Sequence, residues 1–432
     1  MTLLWAKSNT QVDDRVQNFL AGEDVHWDRL LLPFDIRASI AHARGLTRPG
    51  VLTNEQANAI ITALDELASA YEHGGFVLDS RYEDGHSAIE GFLTERLGDL
   101  GKRVHAGRSR NDQVQVALRL YMRDRLDKLV NHLREAAAVF LVRAHEHERT
   151  PMPGYTHLQQ AVPSTAGLWF AAFAEAMIDD AELTTSTRAW VDTCPLGTAA
   201  GYGVPIELDR EGVAEELGFS RLQQNPMYAQ NSRGKHELAV LSVCTQALLD
   251  VRRFAWDVSL FHTAEFAFVT LPDALTTGSS IMPNKRNPDV VELLRAACGR
   301  VLGAHTEVAS VLSLPSGYHR DLQATKGPFL QAVEHTLGAL AIVPTLLRGL
   351  SLRADRMRNA IEPETYATDR AIELVASGTP FRDAYQQVAE QLDQLGSRTP
   401  EDSINARVSA GSCGDLRLLE LEQRLSAVGR KD

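Results

Sequence analysis

Cysteine is scarce in this 432-residue chain, with four in all and none in a CxxC pair. Cys194, Cys244, Cys298 and Cys413 lie far apart, three of them among apolar neighbours. That fits a reduced chain with inert core thiols rather than a disulfide framework. Basic charge is also short: Lys and Arg number 44 against 56 Asp and Glu, a net charge of −12. A nucleic-acid backbone or an anionic membrane as main partner would demand a basic face, so neither is expected. No apolar tract escapes interruption by charge for long enough to make a conventional membrane span. The opening MTLLWAKSNTQVDDRVQ has no apolar core followed by a small-residue cleavage site. A soluble, cytoplasmic protein is expected. Metal-ligand spacing is missing too: there is no HExxH, and His145 with His147 in AHEHER reads as a solvated helix end. GTAAGYG, residues 197–203, lacks the preceding strand and the spacing of a dinucleotide loop, and reads as a turn near a site. Period-two alternation is nearly absent, and there is no internal repeat.

What the chain does have is long helical periodicity. From Asp112 to Thr150 there is neither Gly nor Pro, and Leu126, Leu129, Val130, Leu133, Ala137, Phe140, Leu141 and Ala144 share one face. At 1.5 Å per residue such a helix is roughly 55–60 Å long. A second uninterrupted tract, Lys235 to Leu271, is apolar on nearly all sides, with Leu238, Leu241, Leu248, Leu249, Phe254, Trp256 and Phe261 spread around it. A helix of that kind must be covered all round, and neighbouring copies of the chain are the natural cover. Further helices are expected over 165–190, 289–313 and 329–349. Thr53-Asn54-Glu55-Gln56 is a capping-box signal for a helix through Tyr71, which Gly74-Gly75 ends. Thr399-Pro400-Glu401-Asp402 starts another. The reading is an all-α protein in three regions: 1–111, a central long-helix bundle over 112–355, and a small helical region over 356–432.

Polar islands interrupt the helices. HAGRSRNDQ, residues 105–113, places Arg108, Ser109, Arg110, Asn111 and Asp112 ahead of the first long helix, a position that favours anions. Taken alone, a solvated capping loop explains it somewhat better. MPGYTHLQ, residues 152–159, sets His157 after a Pro-Gly turn; a lone histidine is more often structural than catalytic. TTGSSIMPNKRNPD, residues 276–289, combines a glycine, Ser279, Ser280, Lys285, Arg286 and Asn287. Hydroxyls beside cations and backbone donors suit a site where negative charge develops, and a plain surface loop gives no reason for so many convergent donors. GYHRDLQATKG, residues 317–327, adds Tyr318, Arg320, Gln323 and Lys326 at another break.

In this order the islands resemble the fumarase/aspartase superfamily of lyases. GSSIMPNKRNPD is similar to that superfamily's characteristic loop, and HAGRSRNDQ, PGYTHLQ and GYHRDLQATK narrow the likeness to the argininosuccinate lyase family. The match runs from about Phe19 to past Gly378-Thr379-Pro380-Phe381-Arg382. The resemblance implies a three-domain lyase whose central helices form the core of a homotetramer, with each active site built from islands of three subunits. It implies cleavage of argininosuccinate to arginine and fumarate, with no metal or redox cofactor, no nucleic acid and no membrane. It also implies roles. Ser279 is the base, Lys285 faces the charged intermediate, His157 serves the departing nitrogen, and Glu292 orients His157. Ser109, Arg110, Asn111, Thr156 and Asn287 hold substrate oxygens, Tyr318, Gln323 and Lys326 bind the arginine end and carboxylates, and His86 and Arg233 line the site.

The chain departs from the pattern in places. Asn231-Ser232-Arg233-Gly234 stands where relatives often have Ser-Asp-Arg-Asp, so two carboxylates beside Arg233 are missing. Asp24 stands where many have a substrate-binding serine, and Arg286 replaces a frequent lysine. The competing expectations are another fumarate-producing lyase and a non-catalytic oligomer of the lens-crystallin kind.

Overall fold

The computed structural model describes residues 13, 15, 16, 19, 22–395 and 398–429. The segment read for a leader lies almost wholly outside them. Helices dominate. In chain order they are α1 (Asp24–Gly45), α2 (Asn54–Glu72), α3 (Gly85–Leu97), α4 (Arg110–Glu146), α5 (Ala166–Val191), α6 (Arg210–Glu216), α7 (Pro226–Asn231), α8 (Lys235–Phe261), α9 (Asp289–Val311) and α10 (Lys326–Gly349). Five short helices follow, from Ala354 to Ala427. The local signals act as read. Thr53 caps α2 in a capping box with Gln56, and Thr399 caps the helix Pro400–Ala406 with Asp402.

The chain divides into two compact units, one of residues 1–128, 186–243 and 301–334 and one of residues 129–185, 244–300 and 335–432. In the first, α1, α2 and α3 pack through Leu32, Ile36, Leu46, Ile60, Leu64, Ile89 and Leu93. A second cluster joins Ala38 and Ala41 to Val116, Leu120, Leu196, Val213 and Leu217. The second unit is built around aromatic rings. Phe140 meets Phe254 edge-on at 5.0 Å, and Trp169 lies 4.7 Å from Phe170. The edge-to-face Phe140–Phe254 pair adds to the burial term.

Two expectations need correction. The Lys235–Leu271 tract is not one helix: α8 stops at Phe261. Thr263 donates its hydroxyl to the Leu260 carbonyl at 2.7 Å, Ala267 takes φ +50°, and the Phe268 N–H returns to the Phe261 carbonyl at 2.9 Å. The released chain then pairs Val269–Thr270 with Ser351–Leu352. Within one chain α8 is also not covered all round, since Leu249 is 40% and Trp256 48% exposed.

The second correction is at PMPGYTHLQ. Pro153-Gly154 is not a turn but part of a strand, Pro151–Thr156, paired antiparallel with Gln159–Thr165. Its register shifts between Gly154 and Tyr155. One helical segment, Arg320–Gly349, is long and apolar enough to pass for a membrane span by composition. Phe329, Leu330, Val333, Leu340, Val343 and Leu346 are buried within the protein, which makes it a core helix.

Candidate active site

The first unit holds a cavity of about 180 Å³. Asp24, His86, Arg110, Asn111, Arg233, Tyr318, Gln323 and Lys326 line it, together with Asp28, Glu83, Asp84, Val114 and Arg320. Nine residues singled out in the sequence, Arg320 among them, thus meet in one place, although they come from α1, α3, α4, the turn leading into α8 and the 317–326 segment. Ser109 does not line it. Its Oγ accepts the Asn111 N–H at 3.3 Å, and its own N–H donates to Asp112 at 2.8 Å, so it starts α4. The other Asp112 oxygen accepts the N–H groups of Gly197 and Ala199 at 2.9 and 2.8 Å, which gives the GTAAGYG turn its task. Burial pushes the Asp112 carboxyl up to about 6 in spite of these donors.

Each main cation of the cavity is held by two carboxylates. Arg110 lies 3.2 Å from Glu83 and 3.1 Å from Asp84. Lys326, 4% exposed, lies 2.7 Å from Asp24 and 2.6 Å from Asp28. Burial alone would discharge the Lys326 ammonium, but Asp28 and Asp24 outweigh it and its pKa is raised. His86 follows the same logic: burial disfavours its cation, yet Asp35, 2.6 Å from Nδ1, together with Asp84 and Asp28 raises its pKa. Asp84 caps α3 in a capping box with Ser87. Burial works against its charge, and His86, Arg110 and the Ser87 N–H hold it below the usual carboxylate range. Arg233 is different. It is 94% buried, being 6% exposed, and sits 5.6 Å from the Tyr318 ring centre. It forms no ion pair among the described residues, and its Nε has no hydrogen-bond partner. The two carboxylates missing from the sequence beside it are not replaced.

The remaining candidates belong to the second unit. His157 and Leu158 form the two-residue tip of the β-hairpin, Thr156 pairing with Gln159. Both have positive φ, +55° and +60°, the geometry of a hairpin turn that ordinarily takes Asn-Gly. Non-glycine residues held there carry strain, which concentrates at functional sites. The hairpin is fixed from below: Tyr155 packs 5.8 Å from Phe266, and Gln160 donates to the Ala360 carbonyl at 2.8 Å.

The 276–289 stretch is closed at its base by Thr277–Gly278 pairing with Arg286–Asn287. Thr277 Oγ1 also hydrogen-bonds the Asp289 carboxylate, at the start of α9. Inside the loop Ser279 Oγ accepts two backbone N–H bonds, from Ile281 at 3.3 Å and Met282 at 3.0 Å. Lys285 directs its N–H to the Met282 carbonyl at 3.1 Å. Within one chain Glu292 lies 3.7 Å from Arg295 in its own helix. Among the described residues no hydrogen bond or ion pair joins His157 to Ser279, Lys285 or Glu292. No cluster of three or more His, Cys, Asp and Glu suited to a metal ion occurs among the described residues.

Sequence reading missed Asp28, Glu83 and Asp84. Asp28 stands one helical turn after Asp24, and Glu83-Asp84 directly precede Gly85-His86, so proximity to recognised residues was the available signal.

Comparison with known proteins adds the following. A family model described as lyase matches residues 9–303. The argininosuccinate lyase of Stenotrophomonas maltophilia (strain R551-3) is 53% identical over 427 residues, 99% of each chain. That of Xanthomonas oryzae pv. oryzae (strain PXO99A) is 54% identical over 417 residues, 96% of this chain and 97% of that one. Among solved structures, EDDS lyase in complex with formate superposes with TM-score 0.80 at 22% identity, covering 97% of this chain and 90% of that one. A fumarate lyase from Mesorhizobium sp. BNC1 gives TM-score 0.70 at 18% identity, covering 98% and 97%. At those identities the structural likeness speaks for the fold alone.

Proposed function

This chain belongs to the argininosuccinate lyase family, and from that premise we propose how its residues share the work of eliminating arginine from argininosuccinate to give fumarate, the last step of arginine biosynthesis. A proton leaves the succinyl carbon beside a carboxylate, its electron pair becomes the fumarate double bond, and the carbon–nitrogen bond to the guanidino group breaks. The departing nitrogen takes up a proton. One proton lost from carbon and one gained by nitrogen is work for acid and base side chains.

Ser279 is the base. The observation that carries this assignment is the pair of N–H groups on its Oγ, because donors already aimed at an oxygen favour its anion and spare the loop reorganisation during reaction. Lys285 stands six residues on in the same loop and supplies positive charge to the carboxylate that gains electrons. His157, at its strained hairpin tip, gives the proton to the guanidino nitrogen, and Glu292 acts as its carboxylate partner. Asn287, Thr156, Ser109, Arg110 and Asn111 serve the succinyl carboxylates. Asp24, His86, Arg233, Tyr318, Gln323 and Lys326 serve the rest of the substrate. We also propose three regions, 1–111, 112–355 and 356–432, and a cytoplasmic location.

The working form is a homotetramer with sites shared between subunits. Two observations support it. The long helices leave large apolar side chains exposed, Leu249 and Trp256 on α8 and Leu293 and Leu302 on α9, the last two at 71% and 42%. His157 also lacks any link to Ser279 within one chain, which sharing would supply from another. The test is direct: purified protein incubated with argininosuccinate raises the ultraviolet absorbance of fumarate. Silence with this substrate, but release of fumarate from another succinyl compound, would reassign the activity.

A further inference from the structure

A second cavity of the first unit, about 230 Å³, lies where α7 meets α8. Gln230, Asn231, Arg233 and Lys235 form one side of it, against a mostly apolar wall drawn from Leu312 to Leu322. Two cations thus face a space that no Asp or Glu lines among the described residues, in a chain of net charge −12. Glu237, two residues on, is already engaged: its Oε2 accepts the Gly234 N–H at 2.8 Å, and the buried Arg119 lies near it. Two buried polar atoms of the lining residues are unmatched. Arg233, 6% exposed, has an Nε with no acceptor, and Gln230, 1% exposed, has an Oε1 with no donor. Turning the Gln230 amide round does not cure this, because its Nε2 donates to the Ala199 carbonyl at 3.1 Å and an oxygen there would be repelled. A buried donor and a buried acceptor left unpaired are both costly. The occupant that suits them accepts at one point, donates at another and carries negative charge. Water matches the two atoms but leaves Arg233 and Lys235 without a counter-charge. An ionised carboxylate or a sulfate supplies the charge but has no proton to give. Hydrogen phosphate does all three.

We infer that this second cavity is a binding site for hydrogen phosphate, with Arg233 and Lys235 as its cations and Gln230 Oε1 as the acceptor of the P–OH proton. Asn231 holds the wall in place, since its Oδ1 accepts the Gly317 N–H at 2.8 Å. The site follows from the departure noted in the sequence: Ser232 and Gly234 stand where relatives often carry Asp, so no carboxylate from that turn competes for the cations. The inference goes beyond the elimination proposed above and does not depend on it.

The test is calorimetric titration of the full chain at neutral pH, in a buffer free of phosphate, with inorganic phosphate and separately with sulfate. The unaltered protein takes up phosphate saturably and binds it about tenfold or more tightly than sulfate, the span of one hydrogen bond to an ionised group. Asn231→Asp keeps the oxygen that holds Gly317 and places a negative charge on the wall of this cavity, which Asn231 lines, and not of the first, which it does not. It weakens phosphate about tenfold or more. Lys235→Met, at an exposed position, weakens it about two- to fivefold. Phosphate affinity unchanged in both variants places the ion elsewhere and overturns the inference. Equal affinity for phosphate and sulfate removes Gln230 from the site, and with it the choice of ligand. Titration with no saturable heat overturns it as well.

Discussion

Replacing Lys326 with methionine keeps the length and volume of the side chain and removes its charge. Lys326 and Asp28 are each 4% exposed at the side chain and Asp24 is 19%, so the variant leaves two carboxylates facing each other with little water to separate them. Removing one member of a buried pair costs about 3–5 kcal/mol, mostly because the partner stays charged and unpaired. At roughly 2–4 °C per kcal/mol for a unit of this size, the thermal midpoint falls by roughly 6–20 °C. Circular dichroism of the full chain at neutral pH measures it.

The pH dependence has a definite sign. Burial already holds the Asp24 pKa above its unfolded value, and loss of Lys326 raises it further. A group raised in the folded state stabilises fully below its unfolded pKa and loses that contribution as pH rises through the folded one. The gap between variant and parent therefore narrows on acidification toward about pH 5 and widens toward about pH 8. Adding Asp24→Asn to Lys326→Met removes one of the orphaned charges and recovers part of the loss. A midpoint shift below about 2 °C, or a gap that widens on acidification, refutes the buried triad.

Three further outcomes are expected. Leu158→Gly releases the left-handed strain of the hairpin tip, about 1–2 kcal/mol, against a glycine entropy cost of about 0.5–1 kcal/mol; the thermal midpoint rises or holds, and a clear fall contradicts the turn geometry. Thr53→Ala removes the cap of α2 and costs about 1 kcal/mol in urea unfolding, whereas no change would show the capping box to be idle. Mixing His157→Asn and Ser279→Ala chains after dissociation and reassembly restores part of the turnover that each lacks; no recovery argues against sites shared between subunits.

Much of the fold was readable where local chemistry decides it. A stretch free of Gly and Pro became α4, and the Thr53 and Thr399 capping boxes fixed helix starts within a residue. The hairpin was not readable. Its strands carry Pro151, Pro153 and Pro163, which demote a strand reading, and its turn uses His-Leu where Asn-Gly would have announced it. The end of α8 was hidden for the opposite reason: HTAEFAFVTL contains no Gly or Pro, and the stop depends on Thr263 and on Ala267 in a left-handed conformation. At the site, cations and amides stood out in the polar islands. Asp24 apart, the carboxylates that hold them did not, because Lys326 and Asp28 are separated by 298 positions and no local pattern links them.

The account turns on Ser279 as the group that takes the proton from carbon. Fumarate release by Ser279→Ala, followed by ultraviolet absorbance on protein shown to keep its assembly and thermal midpoint, tests this most directly. The account predicts turnover lost by several orders of magnitude with the fold intact, since removal of a sole base leaves only binding and electrostatic assistance. Turnover near that of the unaltered protein would contradict it.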